Sequence, residues 1–237
     1  MSRSMNSSEV KNEHLRELGL IFGTHYNALY NEVVWLHVRW KQYKDLFGTS
    51  PSRIDILNQT AGLFFRFVRD GLWEGTLLHL TRLTDPPESK GKEKKENLTL
   101  QSLPPLIKDV EFQKEIKGLV EGAVKATRFA RDWRNRRLAH TDLKLAIQQG
   151  AEPLAPASRK SVEDAINAVS RVIQRASEYY FKSELSFDVI TPADDAVSLL
   201  YVIRDGLNAE EERRARLKAG KLSAKDISGQ EPVLHPD

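Results

Sequence analysis

Residues 29–40 read LYNEVVWLHVRW and carry apolar side chains at intervals of four, three and four residues. These apolar residues are Leu29, Val33, Leu36 and Trp40. Side chains at this spacing share one face of an α-helix, which has about 3.6 residues per turn. The pattern extends both ways and predicts a helix over about residues 8–46, with a bend at Gly23. Alternating strand patterns are nearly absent elsewhere, so the sequence predicts an all-α protein.

Four further long helices follow from the same periodicity. They are predicted to run from about Pro51 to Thr84, Glu111 to Ile147, Ser158 to Ser183 and Pro192 to Lys218. Long helices joined by short turns are typical of an up-and-down bundle. We expect the bundle in residues 1–185, a C-terminal helical extension in residues 186–219 and a disordered tail in residues 220–237. The extension could close the bundle or mediate assembly.

Composition excludes several classes of protein and site. The chain has 237 residues, long enough for a sizeable core, and no cysteine, which excludes disulfides and thiolate zinc sites. No histidine pairs with acidic residues at ligand spacing, so we expect neither a metal nor a cofactor. Apolar runs fall far short of the ~20 residues that span a bilayer, so we expect a cytoplasmic protein without membrane association. The net charge of +3 permits an anionic partner without indicating one.

Residues 125–142, KATRFARDWRNRRLAHTD, combine five arginines with one histidine. On a regular helix, His140 shares a stripe with Phe129 and Trp133, which favours a histidine satisfied in the core. Arg134 precedes His140 by six residues and would lie roughly 120° away around the helix. The two side chains could still share a site if the helix bends or unwinds here, or if the arginine comes from a second chain.

The combination of Arg134, Asn135 and His140 resembles the signature of the HEPN superfamily, in which an arginine and an adjacent polar residue precede a histidine. Other segments are similar to the AbiU-like, abortive-infection branch of that superfamily. They are residues 35–48 (WLHVRWKQYKDLFG), Trp73 with residues 80–86 (LTRLTDP), residues 97–100 (NLTL) and residues 137–142 (RLAHTD). The resemblance spans about residues 29–146 and agrees in helix order as well as in motif.

The resemblance implies a HEPN-like helical bundle that forms a homodimer, in which two copies of the motif meet in a cleft. Many HEPN proteins are metal-independent endoribonucleases, which use the RNA 2′-hydroxyl as the nucleophile. By that analogy His140 would be the general acid and base, Arg134 would stabilise the scissile phosphate, and Asn135 would orient the substrate or the motif. The products would end in 2′,3′-cyclic phosphates.

Four further arginines are candidates for RNA phosphate contacts: Arg82, Arg131, Arg136 and Arg137. Arg82 could instead pair with Glu74 or Asp85, and Asp85 itself is most simply a turn residue before proline. Asp142 could support His140 or lie on the surface. His79, on a leucine-rich helix, is most simply structural.

The resemblance implies two possible functions, and a third possibility does not depend on the resemblance. The protein could be an RNA-cleaving effector in phage defence or a toxin-like growth regulator, whose antitoxin would be a separate protein. Alternatively, it could be a catalytically silent HEPN module that binds RNA, a nucleotide or a protein partner. It could also be a helical dimer without a nucleic-acid role.

Overall fold

A computed structural model describes residues 6–89, 94–139, 142–147, 152–187 and 195–221. The α-helices are α1 (Ser7–Leu18), α2 (Leu20–Tyr43), α3 (Pro51–Thr84), α4 (Val110–Ala126), α5 (Arg128–Trp133), α6 (Leu143–Ala146), α7 (Arg159–Phe181) and α8 (Ala196–Lys218). Lys44–Gly48 and Arg134–Leu138 are π-helical, and Leu100–Ser102 and Pro104–Leu106 are short 3₁₀ turns. Within the described ranges no β-strand occurs, so the all-α prediction is confirmed.

The chain forms two compact units. Of the described residues, those within 1–41 and 70–192 belong to the first unit, and those within 42–69 and 193–237 belong to the second. Both α2 and α3 run from one unit into the other. The predicted division into residues 1–185, 186–219 and 220–237 stays a prediction.

The first unit is a helical bundle built from α2, the C-terminal part of α3, α4 and α7. Fully buried side chains from all four helices form its core: Leu29, Leu36, Leu77, Leu80, Ile116 and Ile173. α4 packs against α7, where the rings of Phe112 and Tyr179 stack at 3.8 Å between centroids. Burial of these apolar side chains is the main source of stability for such a bundle.

The predicted first helix is divided at Gly19 rather than bent at Gly23. Gly19 has a φ of 76°, a left-handed conformation that glycine adopts without the penalty of a Cβ atom. Asn6 caps α1 in a capping box with Glu9. Gly23 has a different role, because a Cβ atom there would lie only 2.7 Å from the backbone oxygen of His14. Its missing side chain lets α1 pack closely against α2.

The second unit contains the N-terminal part of α3, the π-helical segment Lys44–Gly48 and α8. Asp195 caps α8, and the backbone N–H of Ala196 donates to Gln42 at 2.8 Å. The predicted start of this helix at Pro192 lies outside the described residues. α8 packs on the π-helical segment of its own unit. Whether this helix also mediates assembly stays open.

No helix in the described ranges is long and apolar enough to cross a membrane. Among the residues that the structure describes, no three histidine or acidic side chains lie close enough together to bind a metal ion.

Candidate functional site

The prediction of a single helix over residues 111–147 is wrong, because helical geometry is interrupted at Thr127. This residue separates α4 from α5 and has a φ of −93° and a ψ of 6°. Its hydroxyl lies 3.0 Å from the carbonyl oxygen of Ala123 and 2.8 Å from the hydroxyl of Thr84 on α3. A threonine that bonds the preceding turn loosens a helix. The contact with α3 is a tertiary interaction that periodicity does not reveal.

Beyond α5 the helix widens at the arginine-rich motif. The N–H of Ala139 donates to the carbonyl of Arg134 at 2.8 Å. A hydrogen bond between residues five positions apart defines a π-turn. The N–H of Asp142 then donates to the carbonyl of Arg136 at 3.0 Å. The chain thus leaves regular helical geometry inside the motif. This departure is one of the two arrangements that would let Arg134 and His140 share a site. His140 and Thr141 lie outside the described residues.

The C-terminus of α3 provides the opposing wall of the site. The last carbonyls of a helix lack partners within it and must find them elsewhere. The Thr99 hydroxyl lies 3.0 Å from the carbonyl of Leu83 and 2.7 Å from that of Asp85. The Gln101 amide donates to the carbonyls of Thr84, at 2.8 Å, and Asp85, at 3.0 Å. These bonds fix the backbone at Asp85.

Two arginines converge on the Asp85 carboxylate. Arg134 donates from Nη1 to Oδ2 at 2.5 Å, and Arg131 donates from Nη2 to Oδ1 at 3.3 Å. Arg131 also donates to the carbonyl of Thr84 at 3.0 Å, and Arg134 donates from Nε to Asn135 at 3.1 Å. The Asp85 side chain is only 19% exposed. Two guanidinium groups thus share the Asp85 carboxylate, while Glu88, which lines the same cavity, pairs with Lys94.

Both arginines line an open cavity of about 610 Å³, together with Asp85, Asn97 and Gln101. A second cavity of about 250 Å³ is lined by Glu32 and Arg82 and shares Asp85 and Asn97 with the first. The Asn97 amide donates to the carbonyl of Pro86 at 2.9 Å, which holds this shared wall in place. The two cavities therefore adjoin at residues that the α3 C-terminus positions.

Arg82 lines the smaller cavity and pairs with a residue that sequence analysis did not consider. Its Nη2 lies 2.9 Å from Glu32 Oε2. Neither Glu74 nor Asp85, the two expected partners, forms this ion pair. The guanidinium is 66% exposed, so the pair is largely solvated and Arg82 can reach a ligand in the cavity.

His79 is buried beside that ion pair, in agreement with a structural role. Its Nδ1 lies 3.1 Å from Arg39 Nη1, and its Nε2 lies 2.9 Å from Glu32. Because a guanidinium group only donates, Nδ1 accepts from Arg39 and the proton of the neutral ring lies on Nε2, which is close to Glu32 without forming a hydrogen bond to it. Burial, reinforced by the charges of Arg39 and Arg82 and opposed by Glu32, lowers the pKa of His79 to about 4.

The remaining predicted residues lie outside these two cavities. Arg136 donates to the carbonyls of Glu152 and, at 3.2 Å, Pro153. The Arg137 guanidinium lies over the Trp133 ring, 5.6 Å from its centroid. Asp142 accepts from the N–H of Leu145 at 3.2 Å and so caps α6. Their roles toward RNA and toward His140 stay predictions.

No local sequence pattern marks Asp85, Thr84 and Gln101 as parts of a site. A signal was present, because the segments that carry the family resemblance include residues 80–86 and 97–100. Thr84 and Asp85 of the first segment bond Arg131 and Arg134, whereas the second segment holds the Asp85 backbone through Thr99 and lines the same cavity through Asn97. Resemblance spread over three separate segments thus corresponds to one spatial cluster.

In a comparison with protein families, residues 20–199 match HEPN_AbiU2, described as AbiU2. No curated protein and no solved structure matches the chain. The matched region covers the bundle, the cluster around Asp85 and the arginine-rich motif. On this match, which extends over more than half of the sequence, the chain belongs to the AbiU2 family of HEPN domains.

Proposed function

We propose that the protein is a metal-independent endoribonuclease of the HEPN type, acting in phage defence or as a toxin-like effector. RNA is the expected substrate because its 2′-hydroxyl supplies the nucleophile next to each phosphate. We further propose that the protein is a cytoplasmic homodimer, and that a separate antitoxin or regulator protein controls it.

The observation that carries the proposal is the convergence of Arg131 and Arg134 on one wall of an open cavity. A guanidinium held in place can bind a phosphate oxygen through charged hydrogen bonds and stabilise negative charge that develops during cleavage. Arg134 is held through Nη1 and Nε. Among the described residues, no oxygen accepts from its Nη2, so this nitrogen can serve a ligand.

The proposed reaction is a transesterification. The 2′-oxygen attacks the adjacent phosphorus, the bond to the 5′-oxygen breaks, and a 2′,3′-cyclic phosphate and a 5′-hydroxyl result. His140 would take the proton from the 2′-hydroxyl and return a proton to the leaving 5′-oxygen, because an imidazole near its ordinary pKa can do both at neutral pH. Arg134 would stabilise the charged phosphorane-like transition state.

The test is incubation of the purified protein with transfer RNA and structured RNA in EDTA, followed by mapping of the product ends. We expect cleavage that survives chelation, yields 2′,3′-cyclic phosphate ends and disappears in His140→Ala. Asn167→Ala, at an exposed position on α7 outside the cluster, is the matched control and should retain activity. Products ending in 3′-hydroxyls, or cleavage that persists in His140→Ala, would contradict the mechanism.

A silent binding module is the second candidate function, and one observation favours it. Arg134 is already paired with Asp85, so part of its hydrogen-bonding capacity is used within the protein. Such a module would bind RNA with a salt dependence set by the number of phosphate contacts. Binding without cleavage, by folded and dimeric protein, would select it over the enzyme.

A further inference from the structure

We propose that Asp85 is the positioning residue of the phosphate-binding arginines, an inference that rests on the proposed function. Each of its carboxylate oxygens accepts from a different guanidinium, Oδ2 from Arg134 and Oδ1 from Arg131. One anion thus sets the spacing and the orientation of two cations. A carboxylate with two arginine partners fixes planar groups more strictly than a single ion pair does.

The carboxylate is not required to build the turn in which it lies. The backbone at Asp85 is fixed through its own carbonyl, which accepts from Thr99 and Gln101. The neighbouring Thr84 carbonyl accepts from Gln101 and Arg131. These bonds do not involve the Asp85 side chain. An Asp85→Asn variant therefore keeps the local backbone while it loses the charge.

A negative charge beside a phosphate site opposes binding of the phosphate. The Asp85 carboxylate lines the same cavity as Arg131 and Arg134, so it repels any anion that enters. Its contribution is therefore orientation rather than affinity. Catalysis depends on orientation, since a displacement of about 1 Å can cost about 100-fold in rate. Affinity and turnover should consequently respond to Asp85→Asn in opposite directions.

The experiment compares wild type and Asp85→Asn in three measurements. The first is the dissociation constant for a 2′-O-methyl RNA, which cannot be cleaved. The second is kcat on cleavable RNA in EDTA. The third is side-chain ¹⁵N NMR of the arginines, with the Arg134 signal assigned from Arg134→Lys. Glu115→Gln is the matched control, because it removes the same charge from another arginine pair, Glu115 with Arg175.

For Asp85→Asn we expect binding tightened by about threefold or more, and kcat lowered by about tenfold or more. By NMR we expect rotation about the Arg134 Nε–Cζ bond to be hindered in wild type and fast in Asp85→Asn. Glu115→Gln matches wild type in all three measurements. Circular dichroism and thermal unfolding check that each variant is folded.

An unchanged or increased kcat, or Arg134 rotation that stays hindered, would overturn the assignment. Failure of the proposed function gives a different pattern. If wild type does not cleave RNA, the proposed function fails, while the binding and NMR measurements still decide whether Asp85 orients Arg134. Weaker RNA binding by a folded Asp85→Asn protein would likewise contradict the proposal.

Discussion

The hydroxyl oxygens of Thr84 and Thr127 lie 2.8 Å apart in the interior of the first unit, and both side chains are fully buried. This bond joins the C-terminus of α3 to the break between α4 and α5. It thereby sets the position of Asp85 relative to the arginines that follow Thr127 in sequence. Two buried threonines thus align the two walls of the candidate site.

Thr127→Val should lower the free energy of unfolding by about 1–2 kcal/mol, because it removes a buried hydrogen bond while keeping the shape of the side chain. Urea unfolding monitored by circular dichroism measures the change. Thr60→Val is the matched control, since the Thr60 hydroxyl is exposed and bonds only the preceding turn of its own helix, at Ile56. It should change stability by less than about 0.5 kcal/mol. Equal effects of the two substitutions would contradict the role given to Thr127.

Gly23→Ala should destabilise the first unit by about 1–3 kcal/mol, because the added methyl group would meet the backbone of α1 at His14 and Leu15. Gly118→Ala on α4 is the control, as a Cβ atom there meets nothing within 4 Å. This second substitution should leave stability unchanged or raise it by up to about 1 kcal/mol, since alanine favours a helix. Thermal unfolding of both variants tests the prediction, and a stable Gly23→Ala protein would contradict the close packing of α1 on α2.

Stability should decrease as pH falls below the ordinary pKa of histidine. The folded-state pKa of His79 is lowered from 6.5 to about 4, so between these values the unfolded chain binds a proton that the folded protein does not. The free energy of unfolding therefore falls as pH drops through this window, by up to about 3 kcal/mol from His79. Burial also lowers the pKa of His14, which adds a contribution of the same sign.

Urea unfolding at several pH values between about 8 and about 4 measures this dependence for wild type and His79→Gln. The variant should lose part of the slope and retain the part that belongs to His14. His25→Gln is the control, because His25 bonds the carbonyl of Ile21 on the same turn of the surface of α2. The same slope in wild type and His79→Gln would contradict the assignment of a neutral, buried His79.

Arg134→Ala should lower kcat for RNA cleavage in EDTA by about 100-fold to 1,000-fold, as expected for removal of a group that stabilises transition-state charge. Arg171→Ala removes an arginine that pairs with Glu178 on α7, away from the cluster around Asp85, and should retain activity. Both proteins should unfold at similar temperatures. A folded Arg134→Ala enzyme with near-normal kcat would remove Arg134 from the mechanism.

The helical class of the protein could be predicted from sequence because it depends on local periodicity. Leu29, Val33 and Leu36 recur at helical spacing and are all fully buried in the bundle. The second predicted helix begins and ends at Pro51 and Thr84, as expected, because proline residues limit both ends. Its continuity is wrong, because the backbone is non-helical at Ala61, with a φ of −156° and a ψ of 67°.

The interruptions could not be predicted because they depend on tertiary contacts. Thr127 breaks a helix through a bond to Thr84, which is 43 residues earlier in the chain. Gly19 is the point at which α1 turns back, whereas sequence analysis placed a bend at Gly23, since both glycines weaken a helix equally. Only the packing of α1 on α2 distinguishes the two positions.

The candidate site was predicted in part. Arg134 and Arg131 were identified from the motif and from the charge of their segment, and both line the cavity. Asp85 was interpreted as a turn residue because an aspartate before proline commonly is one. Its contact with Arg134 spans 49 residues of sequence and leaves no local pattern. Arg82 was expected near Asp85 or Glu74, yet it pairs with Glu32 on another helix.

The most direct test of RNA cleavage by attack of the 2′-hydroxyl is single-turnover cleavage, in EDTA, of an oligonucleotide whose mapped scissile nucleotide carries a 2′-deoxyribose. Its binding should match that of the all-RNA oligonucleotide, because the phosphates that contact arginines are unchanged. We predict that the all-RNA substrate is cleaved and that the substituted substrate is bound but left intact at that position. Cleavage of the 2′-deoxy substrate at the same phosphate would contradict the account.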